Sequence, residues 1–145
     1  MQGLIQRVSS ASVSVDQQIR GQIDQGILLL LGVQKDDSQE SADRLLQKVL
    51  NYRIFSDPQG KMNLSLSDIG GGLLVISQFT LAADTQKGLR PSFSSAAPPQ
   101  QAQALYEYFL ARANKQHDTV SSGVFGADMQ VSLCNDGPVT FNLQT

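Results

Sequence analysis

Ile27-Leu28-Leu29-Leu30-Leu31-Gly32-Val33 is the stretch that decides the architecture. It is aliphatic without a polar interruption, so a strand built from it keeps water off both of its faces. Such a strand needs packing above and below, which points to a sheet or barrel covered by helices. The apolar run is far too short to cross a bilayer.

Outward from that run, both flanks agree. Upstream, Gln2 to Val8 reads as an opening strand. Val13 and Val15 alternate with serines, and Ile19 and Ile23 follow across Asp16-Gln17-Gln18, the period-two pattern of a half-buried hairpin. Downstream, Asp37 and Glu40 are placed as a capping box. Ala42, Leu45, Leu46, Val49 and Leu50 then recur at helical spacing, predicting a helix that ends near Asn51 with one apolar stripe against the sheet. Ser56-Asp57-Pro58-Gln59-Gly60 is a turn, and Gly70-Gly71-Gly72 precedes a strand from Leu73 to Thr80. Leu81 to Pro99 is a long connection without periodicity, of a kind that is more often functional than idle. Pro98-Pro99 suits a helix entry, and Ala102, Leu105, Phe109 and Ala113 mark that helix's buried face. Two final strands, Met129 to Asn135 and Val139 to Leu143, are predicted on either side of Asp136-Gly137-Pro138. The expected fold is α+β, a mainly antiparallel sheet or barrel-like core with two packed helices, in a single domain over residues 1–145.

Composition narrows the function classes. The 145 residues are 41% hydrophobic and 17% charged, a globular balance. No basic or apolar leader opens the chain and there is one cysteine, so the expectation is a cytosolic protein without a disulfide. Cys134 lies in an apolar strand pattern and is expected in the core. The net charge of −2 argues against bulk affinity for duplex backbone. His117 is the single histidine and falls at a helix end, where a cation suits the helix dipole. One histidine excludes His-rich zinc sites within one chain, and no serine carries a nucleophile-elbow glycine pattern. Walker and Rossmann glycine spacings are missing as well. Conventional hydrolase machinery is not written in this sequence.

Two short motifs carry what remains. Ser77-Gln78-Phe79-Thr80-Leu81 ends a buried strand and enters the long loop. Read plainly these are strand residues; read functionally, a strand end presents backbone N–H groups to a cleft, where they stabilise an ester-cleavage oxyanion. Asn135-Asp136-Gly137-Pro138-Val139-Thr140 is on the plain reading a turn with a trans peptide. With a cis peptide it would instead aim neighbouring carbonyls in one fixed direction, an acceptor site made from backbone alone.

In this order and at this separation, the two motifs resemble those of the D-aminoacyl-tRNA deacylases. The resemblance extends to Leu4-Ile5-Gln6-Arg7-Val8, Tyr52-Arg53-Ile54-Phe55-Ser56-Asp57, Lys61-Met62-Asn63-Leu64, Arg90-Pro91-Ser92-Phe93 and the segment Phe125 to Val131, so it is essentially end to end. One departure is Asn142, where a large aromatic often follows the equivalent of Phe141. The resemblance implies a cytosolic homodimer with two active sites at the subunit interface, no metal and no organic cofactor. It implies catalysis at Ser77, Gln78, Phe79 and Thr80, with Gly137 and Pro138 of one subunit reaching the other's pocket. Arg7 would hold that motif, while Phe125 and Met129 pack near the pocket. The implied substrate is the acceptor end of a tRNA carrying a D-amino acid, with glycine poorly excluded. Lys87 and Arg90 are candidate phosphate contacts beside the first motif. Two other readings stay open: a non-catalytic RNA-binding or proofreading-accessory module of the same fold, and a general esterase using the Thr80 hydroxyl.

Overall fold

The computed structural model describes residues 1–86 and 88–145. Strand β1 (Gln2–Val15) is the spine of a six-stranded sheet and pairs antiparallel with three partners. Its first half lies between β3 (Gly26–Gly32) and the end of β8 (Gln130–Gln144), and its second half between β2 (Gln18–Ile23) and the start of β8. The β1–β2 turn is made by Asp16 and Gln17, both at positive φ. Beyond β3 the sheet continues in parallel through β6 (Gly72–Ser77) to β7 (Val120–Ser122). Ser121 Oγ reaches the Gln22 carbonyl at 3.1 Å, which brings β7 back against β2 and nearly closes the barrel.

The continuous aliphatic run follows from this placement. Ile27, Leu29 and Leu31 of β3 face α1 (Gln39–Asn51) and α3 (Pro99–Gln116), packing with Leu45, Leu46, Val49 and Phe109. Leu28 faces inward with Val8, Val13, Leu74 and Ile76, and Leu30 packs against the same group. Both faces of β3 are therefore apolar because both are covered. β3 and β6 also run unusually close at their start. A Cβ added at Gly26 would lie 1.9 Å from the Gly72 carbonyl oxygen, so only glycine fits there. The two outer helices are tied together by Asp43, which accepts from Arg112 Nε and from the Tyr108 hydroxyl, each at 2.9 Å.

Several local expectations are corrected. The α1 cap is Ser38 with Ser41, not Asp37 with Glu40. Asp37 instead accepts from the Met1 ammonium and from the Gln34 N–H, the latter at 2.7 Å. A short third helix, α2 (Leu66–Ile69), is capped by Ser65 and Asp68 and ends on left-handed Gly70. β4 (Phe55–Ser56) and β5 (Met62–Leu64) form a small separate hairpin around the Asp57 turn. The strand expected to reach Thr80 stops at Ser77, and Phe79–Ala82 is a 3-10 turn. The two expected final strands are one strand, β8, interrupted by an excursion. Cys134 is exposed rather than core, because it stands on an uncovered face of the sheet beside its cross-strand partner, exposed Ser10.

Candidate active site

At the end of β6 the chain leaves the sheet under tight constraint. The Gln78 N–H donates to the Leu31 carbonyl at 2.8 Å, extending the parallel ladder by one bond. The 3-10 turn then folds back over Gly32, where an added Cβ would stand 2.9 Å from Leu81 Cβ. Within the turn, the Leu81 N–H donates to Gln78 and the Ala83 N–H to Thr80, at 3.2 and 3.1 Å. Among the described residues, neither the Phe79 nor the Thr80 N–H has a main-chain acceptor. These are the unsatisfied donors that every helical start leaves behind.

The turn forms one wall of a cleft of about 490 Å³. Ile76, Ser77, Gln78 and Phe79 line this side; Ala97, Pro99 and Ala102 line the α3 side; Phe125, Met129 and Val131 complete it. Among the described residues, none that lines the cleft carries a titratable side chain. Thr80 is exposed and is not one of the lining residues; its hydroxyl accepts a hydrogen bond from the Gln78 amide and, among the described residues, donates to no base. Behind the wall, the Tyr106 hydroxyl donates to the Val75 carbonyl at 3.0 Å and its ring lies 5.8 Å from Phe125. Burial pushes that phenol up to about 12, partly offset by a hydrogen bond with Ser122, so Tyr106 stays protonated at neutral pH and braces the strand. Met129 reaches its place because residue 123 is glycine, since a Cβ there would meet Met129 Sδ at 2.5 Å.

The second motif is an excursion opposite Arg7. Gln6 pairs with Thr140 and Val8 with Asn135, so one residue of β1 faces four of β8, residues 136–139. That is an enlarged β-bulge. Arg7, with its side chain 13% exposed, donates from Nη1 to the Ile54 carbonyl at 2.7 Å and from Nε to the Asp136 carbonyl at 2.9 Å. The Gly137–Pro138 peptide is cis. Gly137 has φ 133°, a conformation that L side chains rarely adopt, and an added Cβ would press on Val139 and Arg7. Gly137 and Pro138 are exposed and do not belong to the walls of their own chain's cleft.

The structure thus gathers Ser77, Gln78, Phe79, Phe125 and Met129 at one cleft and Arg7, Gly137 and Pro138 at a separate projection. Arg90 is exposed on a loop closed by the Asp84–Ser92 bridge, while Lys87 lies outside the described residues. Lining residues that sequence reasoning did not assign to the site include Ala97, Ala102 and Val131, and Phe93, quoted there only for its motif, packs its ring 5.1 Å from Phe79. A small residue leaves no signal except room; Phe93 had one, an aromatic inside a loop of small polar residues.

Comparison with known proteins gives the family. Residues 4–144 match the family model described as D-Tyr-tRNA(Tyr) deacylase. The D-aminoacyl-tRNA deacylase of Pseudoalteromonas translucida (strain TAC 125) is 67% identical over 143 residues, covering 99% of each chain. The protein of the same name from Pseudomonas fluorescens (strain Pf0-1) is 63% identical over 145 residues, covering 100% of each. Among solved structures, one titled c-Myc DNA Unwinding Element Binding Protein superposes with a TM-score of 0.96 at 39% identity, covering 100% of this chain and 99% of that one. A probable eukaryotic D-amino acid tRNA deacylase gives 0.82 at 17% identity, covering 98% of each, a likeness of fold alone. The chain is an enzyme, a hydrolase of the deacylase class. It belongs to the D-Tyr-tRNA(Tyr) deacylase family.

Proposed function

We propose that this chain hydrolyses the ester between a D-amino acid and the terminal adenosine of tRNA, releasing the free D-amino acid and reusable tRNA. The observation that carries the reading is a cleft whose described lining residues include no titratable side chain, bordered by a turn whose first two N–H groups, those of Phe79 and Thr80, make no main-chain hydrogen bond among the described residues. An activated aminoacyl ester suits such a site because it brings its own neighbouring hydroxyl. In this account water adds to the ester carbonyl, and the Phe79 and Thr80 N–H groups receive the developing oxyanion. The ribose 2′-hydroxyl takes the water's proton and passes its own to the departing 3′ oxygen. A group held on the substrate acts at an effective concentration of about 10⁵ M or more, which removes the need for an enzyme base. No metal or organic cofactor enters the scheme.

Chirality is assigned to the excursion. The cleft is served by a second copy of the chain, whose edge strand β8 carries half-exposed Leu133 and Phe141, apolar surface suited to a two-fold contact. Carbonyls of the partner subunit's Gly137 and the partner subunit's Pro138 accept the substrate's α-ammonium. An L residue then aims its Cβ at those carbonyls and is turned away, whereas glycine has no Cβ to refuse. Arg90, with Lys87 beside it in sequence, supplies phosphate contacts, and the compartment is the cytoplasm. Incubating purified protein with D-tyrosyl-, L-tyrosyl- and glycyl-tRNA tests this: the D and glycyl esters are expected to be cleaved and the L ester to survive. Equal loss of D and L esters would remove the chiral role of the excursion.

Thr80→Ala separates this scheme from one in which the Thr80 hydroxyl attacks. Threonine needs an adjacent base, and its side-chain partner here is an amide donor. The variant is expected to keep D-ester cleavage within about tenfold of wild type, since a side chain outside the reaction path costs little. Complete loss in a folded Thr80→Ala protein would transfer the chemistry to the hydroxyl. A second reading, a nucleic-acid-binding module without turnover, draws on the printed name of the 39% identical structure. The net charge of −2 weighs against it, and RNA retention with no ester release would favour it.

A further inference from the structure

We propose that Asn135 and Thr140 form a clamp across the neck of the excursion that sets how strictly the enzyme discriminates between D and L esters. The inference rests on the reading of the excursion as the chiral element and adds the residues that hold it. Asn135 Oδ1 accepts the Val139 N–H at 3.0 Å, and Asn135 Nδ2 donates to Thr140 Oγ1 at 2.9 Å. The first bond requires an oxygen on that side of the amide, which turns the nitrogen toward Thr140; the two contacts fix one orientation. Gln6 Nε2 reaches the same Thr140 oxygen at 3.2 Å from β1. One hydroxyl oxygen with two lone pairs thereby receives two amide donors, joining both ends of the excursion to the neighbouring strand.

The clamp lies where the ladder cannot do this work. Between the Gln6–Thr140 and Val8–Asn135 pairs, the four residues of the excursion face only Arg7. Arg7 grips the Asp136 carbonyl at the entrance. The exit, at Val139, is held by Asn135. With the entrance alone fixed, the Gly137 and Pro138 carbonyls swing about Asp136; with both ends fixed, they keep one direction. Asn135 and Thr140 are positioning residues and need touch no substrate.

A chiral barrier that works by direction fails in a recognisable way when it loosens. Carbonyls free to move bind the D-aminoacyl ammonium less well and also give way to the L Cβ. D cleavage falls while L cleavage rises, whereas a general loss of stability lowers both together. Thr140→Val keeps the side-chain shape and removes the shared acceptor, and Thr140→Ser restores it. In single-turnover assays on D- and L-tyrosyl-tRNA, Thr140→Val and Asn135→Ala are each expected to lower the D-to-L rate ratio about tenfold, the worth of one hydrogen bond. Amide exchange at Val139 accelerates in Asn135→Ala, and Thr140→Ser recovers most of the ratio. A wild-type ratio in both folded variants overturns the clamp, as does a parallel fall in D and L rates. A wild-type enzyme that already cleaves both chiralities equally overturns the chiral role of the excursion, and the clamp with it. That control is read before any variant is compared, so the two failures are told apart.

Discussion

Arg7→Ala is expected to lower D-aminoacyl ester cleavage about a hundredfold while the chain still folds, because misplacing a reacting group by about 1 Å costs that much. Arg7 is the sole residue of β1 that faces the excursion, and its guanidinium joins the Ile54 carbonyl to the Asp136 carbonyl. The two bonds diverge from one planar group, an arrangement that suits arginine. Lysine, a single flexible point charge, does not hold two carbonyls in fixed directions, so Arg7→Lys is expected to recover little. The stability cost of Arg7→Ala is about 2 kcal/mol, the scale of a charge-assisted hydrogen bond, since water replaces the exposed partner at Asp136. Urea unfolding and single-turnover deacylation on the same samples separate the two effects. Wild-type rates in Arg7→Ala would mean that the position of the excursion does not matter to the reaction.

The fold was legible wherever burial is two-sided or helical. β3 announces itself because both of its faces are covered, and α1 and α3 because each shows one stripe to the sheet. α2 was missed because a helix of four residues is too short to show a period, although its Ser65 and Asp68 cap stands in the sequence. β8 was divided in two because proline normally ends a ladder. Here the chain bulges around Gly137 and Pro138 and rejoins the same partner strand. Cys134 was misread because it shares an uncovered face of the sheet with exposed Ser10, its cross-strand partner.

The site was legible in a different way. On the proposed scheme its working groups are main-chain N–H and C=O, which every residue possesses, so neither residue type nor spacing singles them out. Ser77 to Thr80 and Gly137-Pro138 stood out through family resemblance, and the structure supplies the physical reasons they are shaped as they are. The 3-10 turn frees two donors, and a glycine at φ 133° turns the excursion. The small residues of the cleft wall, Ala97 and Ala102, had no chemical signature to find.

The larger of the two principal effects is expected at Phe79, where the main-chain donor can be deleted by itself. Proline at this position removes the N–H, and the structure tolerates the ring unusually well. The Phe79 N–H makes no main-chain bond among the described residues, so none is lost. Gln78 has φ −141° and ψ 83°, outside the helical region that proline forbids to its predecessor. As the first residue of the 3-10 turn, position 79 is where a proline belongs. The side chain is 60% exposed, so Phe79→Ala deletes the ring but keeps the donor and serves as the matched control. Removing one oxyanion donor costs about 10²–10³-fold in turnover.

The measurement is single-turnover cleavage of D-tyrosyl-tRNA by the two variants side by side. Phe79→Ala is predicted to stay within about tenfold of wild type and Phe79→Pro to fall about 10²-fold or more below it. Equal rates in the two folded variants would contradict an enzyme that works through its main chain.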